Sequence, residues 1–78
     1  MIIQPKARKQ LRRMAKNDVI RLLEALKNYE ATGNGDVKKM QGVDDAYRLR
    51  VGNMRAIFEI IDDMVVLQAG YRGNIYER

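Results

Sequence analysis

The chain has 78 residues, with 15 Lys or Arg against 10 Asp or Glu, and it contains no cysteine, histidine or serine. Disulfides, thiolate or imidazole metal ligation and every Ser-His-Asp or Cys-His nucleophile are thereby excluded, which leaves Lys, Arg, Tyr, Thr, Asp and Glu for any chemistry. The net charge of +5 is unevenly placed, because residues 1–16 hold Lys6, Arg8, Lys9, Arg12, Arg13 and Lys16 and no acid.

Such a basic block suits a polyanion or an acidic partner, or else is a solvated helix face. The length predicts one domain spanning residues 1–78. The longest uncharged apolar run, Met64 to Leu67, is far short of a bilayer span, and the start MIIQPKARKQ lacks a signal-peptide core. A cytoplasmic protein without membrane contact is the expectation.

In chain order, Ile2 and Ile3 are a short candidate strand, and Pro5 suits the first turn of a helix because its missing N–H costs nothing there. Ala7, Leu11 and Met14 recur at i, i+4 and i+7, giving the first helix a narrow apolar stripe and a wide basic back. Asn17 reads as a cap between two helices, and Val19, Leu22, Leu23 and Leu26 continue the period until Gly33 ends the second helix. The short link favours an antiparallel helical hairpin whose stripe needs a sheet to bury it. Residues 33–45, rich in glycine and aspartate, read as loop, pinned to the core by Met40 and Val43.

The last third changes period. Tyr47, Leu49 and Val51 alternate with Arg48 and Arg50, while Met54, Ala56, Phe58 and Ile60 alternate with Arg55, Ile57, Glu59 and Ile61. Gly52-Asn53 fits a two-residue hairpin turn, since glycine accepts positive φ at the first position. Asp62-Asp63 is a weaker turn signal before MVVLQAGY. The reading is α+β: an N-terminal helical hairpin packed on a small, curved, mainly antiparallel sheet of three to four strands.

A two-residue turn at Gly52-Asn53 pairs Val51 with Met54 and therefore Arg50 with Arg55, on the face away from Leu49, Ala56 and Phe58. Like charges directly opposite are destabilising, so an anionic ligand is implied. Carrying the register through Asp62-Asp63 pairs Ile61 with Met64 and Arg55 with Gly70, which leaves space beside Arg55. Arg48, Arg50, Arg55 and Arg72 then line one concavity with Glu59 the only acid nearby, as a phosphate site requires. Arginines snorkelling over an exposed face are the alternative. Ile57, Ile61, Met64 and Val66 share that face, and helices on the opposite side leave them exposed as a partner interface.

The segments PKARKQLRRM, YRLRVGNMRAIFEI and QAGYRGNIYE together resemble the RelE/ParE superfamily of toxins from toxin–antitoxin pairs, in its small RelE-type form. The resemblance covers nearly the whole chain, and the central hairpin followed by G-x-R-x-x-x-Y is its most specific part. It implies a metal-independent mRNA interferase that needs no cofactor: an endoribonuclease entering the ribosomal A site, where the RNA's own 2′-hydroxyl attacks the adjacent phosphate to leave a 2′,3′-cyclic phosphate. The implied partners are a cognate antitoxin, the ribosome and mRNA, with operator DNA reached only through the antitoxin complex.

Carried over by position, Arg48 and Arg50 match basic residues of the family's second strand, Arg55 its arginine past the hairpin turn, Arg72 its later arginine and Tyr76 its near-terminal tyrosine. Arg50 and Arg55 would stabilise the phosphorane, Arg72 would grip the phosphate or assist the leaving 5′-oxygen, and Tyr76 would stack on a base or move a proton. The basic residues from Lys6 to Lys16 would dock on ribosomal RNA. Ribosome-dependent members carry lysines where this chain has Arg48 and Arg50, and a guanidinium practically cannot surrender a proton. A general base is then Tyr76 or is missing. The alternatives are the sister ParE branch, which poisons DNA gyrase, and a degenerate toxin that only joins its antitoxin on DNA.

Overall fold

The computed structural model describes residues 1–41 and 45–75. Strand β1 (Ile2–Ile3) leads into helices α1 (Pro5–Arg12) and α2 (Lys16–Thr32), followed by strands β2 (Val37–Lys39), β3 (Ala46–Val51), β4 (Met54–Ile61) and β5 (Asp63–Tyr71). The sheet has five strands in the order β1-β5-β4-β3-β2, with β1 parallel to β5 and every other pair antiparallel. The α+β class is as the periodicity predicts; the strand count is not. The extra strand is β2, three residues within the glycine- and aspartate-rich segment read as loop, too short to show an alternation. It exists because β3 offers it a partner edge, with Val37 opposite Leu49 and Lys39 opposite Tyr47.

The helices cover one sheet face. α1 packs on β5, and α2 packs across β3 and β4. Ala7, Leu11 and Met14 from the first stripe, and Leu22 and Leu26 from the second, meet Leu49, Met54, Ala56, Phe58, Met64, Val66 and Ala69 of the sheet in one buried cluster. Phe58 is its centre, its ring 5.6 Å from both Tyr29 and Tyr47. Burying a side chain of this size contributes about 1.5–3 kcal/mol relative to exposure.

Pro5 opens α1 as expected. Asn17 does not cap α2: the N-cap is Ala15, and Asn17 lies inside the first turn. The Ala15 N–H itself donates to a distant side chain, the Tyr71 hydroxyl, at 3.0 Å, and no side chain caps the N–H groups of the first turn. Gly33 ends α2 at φ 77°, the left-handed conformation that glycine adopts without penalty. Met40 is buried, as expected of a pin under the following segment; Val43 lies outside the described residues.

The β3–β4 register agrees with the hairpin reading: Val51 faces Met54, and Arg50 faces Arg55. Gly52 sits at φ 58°, the positive value a first turn position demands in a tight hairpin. The β4–β5 turn differs. Ile61 pairs with Asp63, not with Met64, so Asp62 alone makes the turn, at φ 63°. A bulge then follows, because Ile57 pairs with Gln68 while the next residue, Phe58, pairs with Val66, leaving Leu67 as the extra residue. Turn and bulge offset each other, and Arg55 still faces Gly70 as the uninterrupted register predicts.

The bulge has a second consequence. It puts Met64 and Val66 on the helix-covered face with Phe58, where both are buried, instead of on the arginine face. Ile57 does lie on the arginine face, but it is buried there against Met40, Ala46, Leu67 and Ile75. Of the residues read as an exposed partner interface only Ile61 is exposed, at 61%.

Candidate functional site

The face turned away from the helices presents its polar residues in two ranks. One rank crosses the sheet as Lys38, Arg48, Ile57 and Gln68, each opposite the next. The other runs Arg50, Arg55 and Gly70. Arg72 follows the end of β5 and is exposed; its N–H donates to the Asn53 carbonyl at 2.6 Å, which ties it to the β3–β4 turn. Thus Arg48, Arg50, Arg55 and Arg72 are gathered around one hairpin. Tyr76 lies outside the described residues.

The four arginines are not equivalent. Arg50 is part-exposed, and its Nε donates to Asp36 Oδ2 at 2.9 Å. Asp36 also accepts at its backbone carbonyl from the Arg50 N–H, at 2.9 Å. Asp36, not Glu59, is therefore the acid that answers this rank. Arg55 is only 6% exposed, and its Nη1 donates to the carbonyls of Gly52 at 2.9 Å and Met54 at 2.8 Å, so the guanidinium knits its own turn. Each of the two opposed arginines is thus bonded to a partner within the protein. Gly70 leaves no vacant space beside Arg55, since a Cβ there would meet Ile75 Cγ1 at 3.0 Å. Arg48 is half-buried, and Arg72 is the exposed member.

The basic residues near the start are all exposed: Lys6, Arg8, Lys9 and Arg12 on α1, Arg13 at its C-cap and Lys16 as the first residue of α2. The block therefore spans the corner between two helices instead of lying on one. Arg8 folds back, its Nε donating to the Ile3 carbonyl at 3.1 Å. At the same corner the Tyr71 hydroxyl donates to Asp18 Oδ2 at 2.6 Å while accepting from Ala15. The bond to Asp18 favours the neutral phenol and holds Tyr71 above its ordinary pKa, with burial acting in the same direction. This clamp joins the helical corner to the residue preceding Arg72.

No protein-family model matches the sequence, and no curated protein does. Solved structures do match in shape. The RelB–RelE antitoxin–toxin complex from Methanococcus jannaschii is 20% identical over 91% of this chain and 89% of that chain, at a TM-score of 0.77. The isolated E. coli RelE toxin is 17% identical over 95% of this chain and 84% of that one, at 0.76. The archaeal RelE–RelB complex from Pyrococcus horikoshii OT3 is 27% identical over 94% and 93%, at 0.72. The fold is that of the RelE toxin superfamily. The shared feature is the shape, two helices across one face of a curved sheet.

On that RelE scaffold, two site residues escape the sequence reading. Lys38, in the unread strand β2, stands opposite Arg48, and Asp36 just before it holds Arg50. The basic residues of VKK and the preceding aspartate were visible in the sequence, but only the pairing with β3 makes them neighbours of the arginines. Among the described residues no helix is long and apolar enough to cross a membrane, and no carboxylate cluster is arranged to hold a metal ion.

Proposed function

We propose that the protein is the toxin of a toxin–antitoxin pair, a RelE-type endoribonuclease that cleaves mRNA in the ribosomal A site and is restrained by a cognate antitoxin. The observation that carries this reading is the register that gathers Arg48, Arg50, Arg55 and Arg72 around one hairpin of a RelE fold. The similar structures that are RelB–RelE complexes support the antitoxin as partner.

In the proposed reaction the RNA 2′-oxygen bonds to the adjacent phosphorus, the bond to the 5′-oxygen breaks, and the products are a 2′,3′-cyclic phosphate and a 5′-hydroxyl. One proton leaves the 2′-hydroxyl and one reaches the 5′-oxygen. Arg72, exposed and anchored by its backbone to the turn, grips the phosphate; Arg48 and Arg50 face the charge that grows on the phosphorane. Arg55, buried and bonded to carbonyls, orients the turn and adds its field without touching substrate. Lys38 is the one amine in these ranks among the described residues, and an amine can pass a proton where a guanidinium cannot. Tyr76 is the other proposed carrier. The exposed basic corner from Lys6 to Lys16 docks on ribosomal RNA through its phosphates.

A second reading, a catalytically weak homologue that serves mainly to bind its antitoxin on DNA, is favoured by one specific observation. Arg50 and Arg55 already have partners inside the protein. The test is to map RNA 5′ ends in cells briefly expressing wild type or Arg72→Ala, with translation running or blocked. New 5′-hydroxyl ends inside translated codons, made only by wild type and only during translation, are the expected result. Growth arrest without such ends, accompanied by inhibited supercoiling, would move the assignment to a gyrase poison; neither effect would leave the binding role.

A further inference from the structure

A cleft of about 210 Å³ opens between the end of α1 and the edge of β5, on the flank of the arginine cluster. Gln10, Arg13 and Met14 form its helical wall, and Ala69, Gly70 and Tyr71 with Asn74 form the wall of the strand and the turn beyond. It arises because β1 is too short. β1 pairs only with Val65 and Val66, and Gln4 extends the coverage by one bond to the Val66 carbonyl, so among the described residues the rest of the β5 edge has no neighbouring strand.

The groups on that edge are identified by what already occupies part of it. The Ala69 N–H points outward, since it donates to Gln10 Oε1 at 3.0 Å. Backbone direction alternates along a strand, and the Arg72 N–H points inward to Asn53. The Ala69 carbonyl and the Tyr71 N–H therefore also face outward, as one acceptor and one donor. The Tyr71 carbonyl is taken by the Asn74 N–H at 2.9 Å. With its Oε1 committed, the Gln10 carboxamide has its two N–H donors to offer, and Asn74 is exposed. Arg13 is exposed and has no acid within ion-pair distance among the described residues.

We infer that this cleft binds one ribonucleotide of the RNA chain, seating the base against the Ala69–Tyr71 edge and the carboxamides of Gln10 and Asn74 while Arg13 meets a phosphate. The inference rests on the RNA-cleaving reading above and deepens it by giving the base a place of its own. A paired donor and acceptor flanked by amides is the hydrogen-bond pattern that reads a base edge. The exposed basic corner supplies the charge for the flanking backbone. An added peptide strand fits less well. Gln4, Gln10 and Asn74 already take edge groups of Val66, Ala69 and Tyr71, and the bulge at Leu67 interrupts the edge, whereas strand addition draws its affinity from an unbroken run of such bonds.

The experiment is a titration of the isotope-labelled full chain with each of the four ribonucleoside 5′-monophosphates, followed by amide NMR. The expected result is saturable shifts at the Ala69, Gly70 and Tyr71 amides and at the Gln10 and Asn74 side-chain NH₂ groups, with one base preferred. Arg13→Gln, at an exposed position, should weaken the binding about tenfold, and Asn74→Ala should flatten the base preference. Shifts confined to Arg48, Arg50 and Arg72, or shifts without saturation, would overturn the proposal. So would shifts of the cleft amides by an extended acidic peptide but not by any mononucleotide. Failure here alongside codon-specific 5′-hydroxyl ends in cells removes the cleft and leaves the nuclease, whereas saturable binding without those ends removes the nuclease and leaves the cleft.

Discussion

Arg50 stands directly opposite Arg55 across the β3–β4 pair, and the two guanidiniums are held by different partners: Arg50 by Asp36, Arg55 by the carbonyls of Gly52 and Met54. One is part-exposed and the other buried. The pair is therefore a division of labour between a group that can turn to a ligand and one that maintains the turn beneath it.

That division predicts opposite signatures for two arginine variants. Arg55→Met removes two charge-assisted bonds and leaves turn carbonyls unpaired, so it should cost about 2–4 kcal/mol in urea unfolding. Arg72→Ala, at an exposed side chain, should stay within about 0.5 kcal/mol while abolishing RNA cleavage. Equal stability losses would mean that the arginine cluster is chiefly structural.

Asp36→Asn releases Arg50. Both side chains of the pair are substantially exposed, so stability should change by less than about 1 kcal/mol. Affinity for a short RNA should rise, because Arg50 no longer has to leave a carboxylate to meet a phosphate. Filter binding at fixed salt reads this directly, and weaker binding would show that Asp36 positions Arg50 for RNA instead of competing with it.

Lys38→Met and Lys38→Arg separate proton transfer from charge. If the amine passes a proton, both variants should lose cleavage; if it acts through charge alone, the arginine variant should keep it. Retained activity in Lys38→Arg would reduce Lys38 to a charged guard on the exposed edge of the sheet, a common use of lysine there.

Tyr71→Phe cuts the clamp between the helical corner and the end of β5 and should lower the thermal midpoint. The folded phenol titrates above its unfolded value. Its contribution is therefore complete below an unfolded pKa of about 10 and is lost as pH rises through the folded one. In a tyrosinate absorbance titration the late-titrating phenol should disappear in Tyr71→Phe and move earlier in Asp18→Asn.

Gly70 and Ile75 should be coupled. A Cβ at Gly70 would press on Ile75 Cγ1, so Gly70→Val should destabilise the fold by about 1–3 kcal/mol. Pairing it with Ile75→Ala should recover part of that loss, and a double-mutant cycle measures the coupling. Strict additivity would show that Ile75 does not rest on Gly70.

The sequence by itself determined what depends on neighbours along the chain. The apolar periods of α1 and α2, the stop at Gly33 and the hairpin at Gly52-Asn53, with Arg50 opposite Arg55, are all set by residues a few positions apart. Periodicity and positive-φ preference act at that range. Strand β2, the bulge at Leu67 and the burial of Ile57 were decided only by the tertiary structure, because a three-residue strand and an extra residue leave no periodic trace.

The same holds for the partners that shape the site. Asp36 reaches Arg50, Tyr71 reaches Asp18 and Ala15, and Gln10 reaches Ala69. Each bond joins residues in different elements, and its existence follows from packing those elements together, not from the local preference of either residue. The sequence could therefore put arginines on one face, but only the folded chain decides which of them is already engaged and which is exposed.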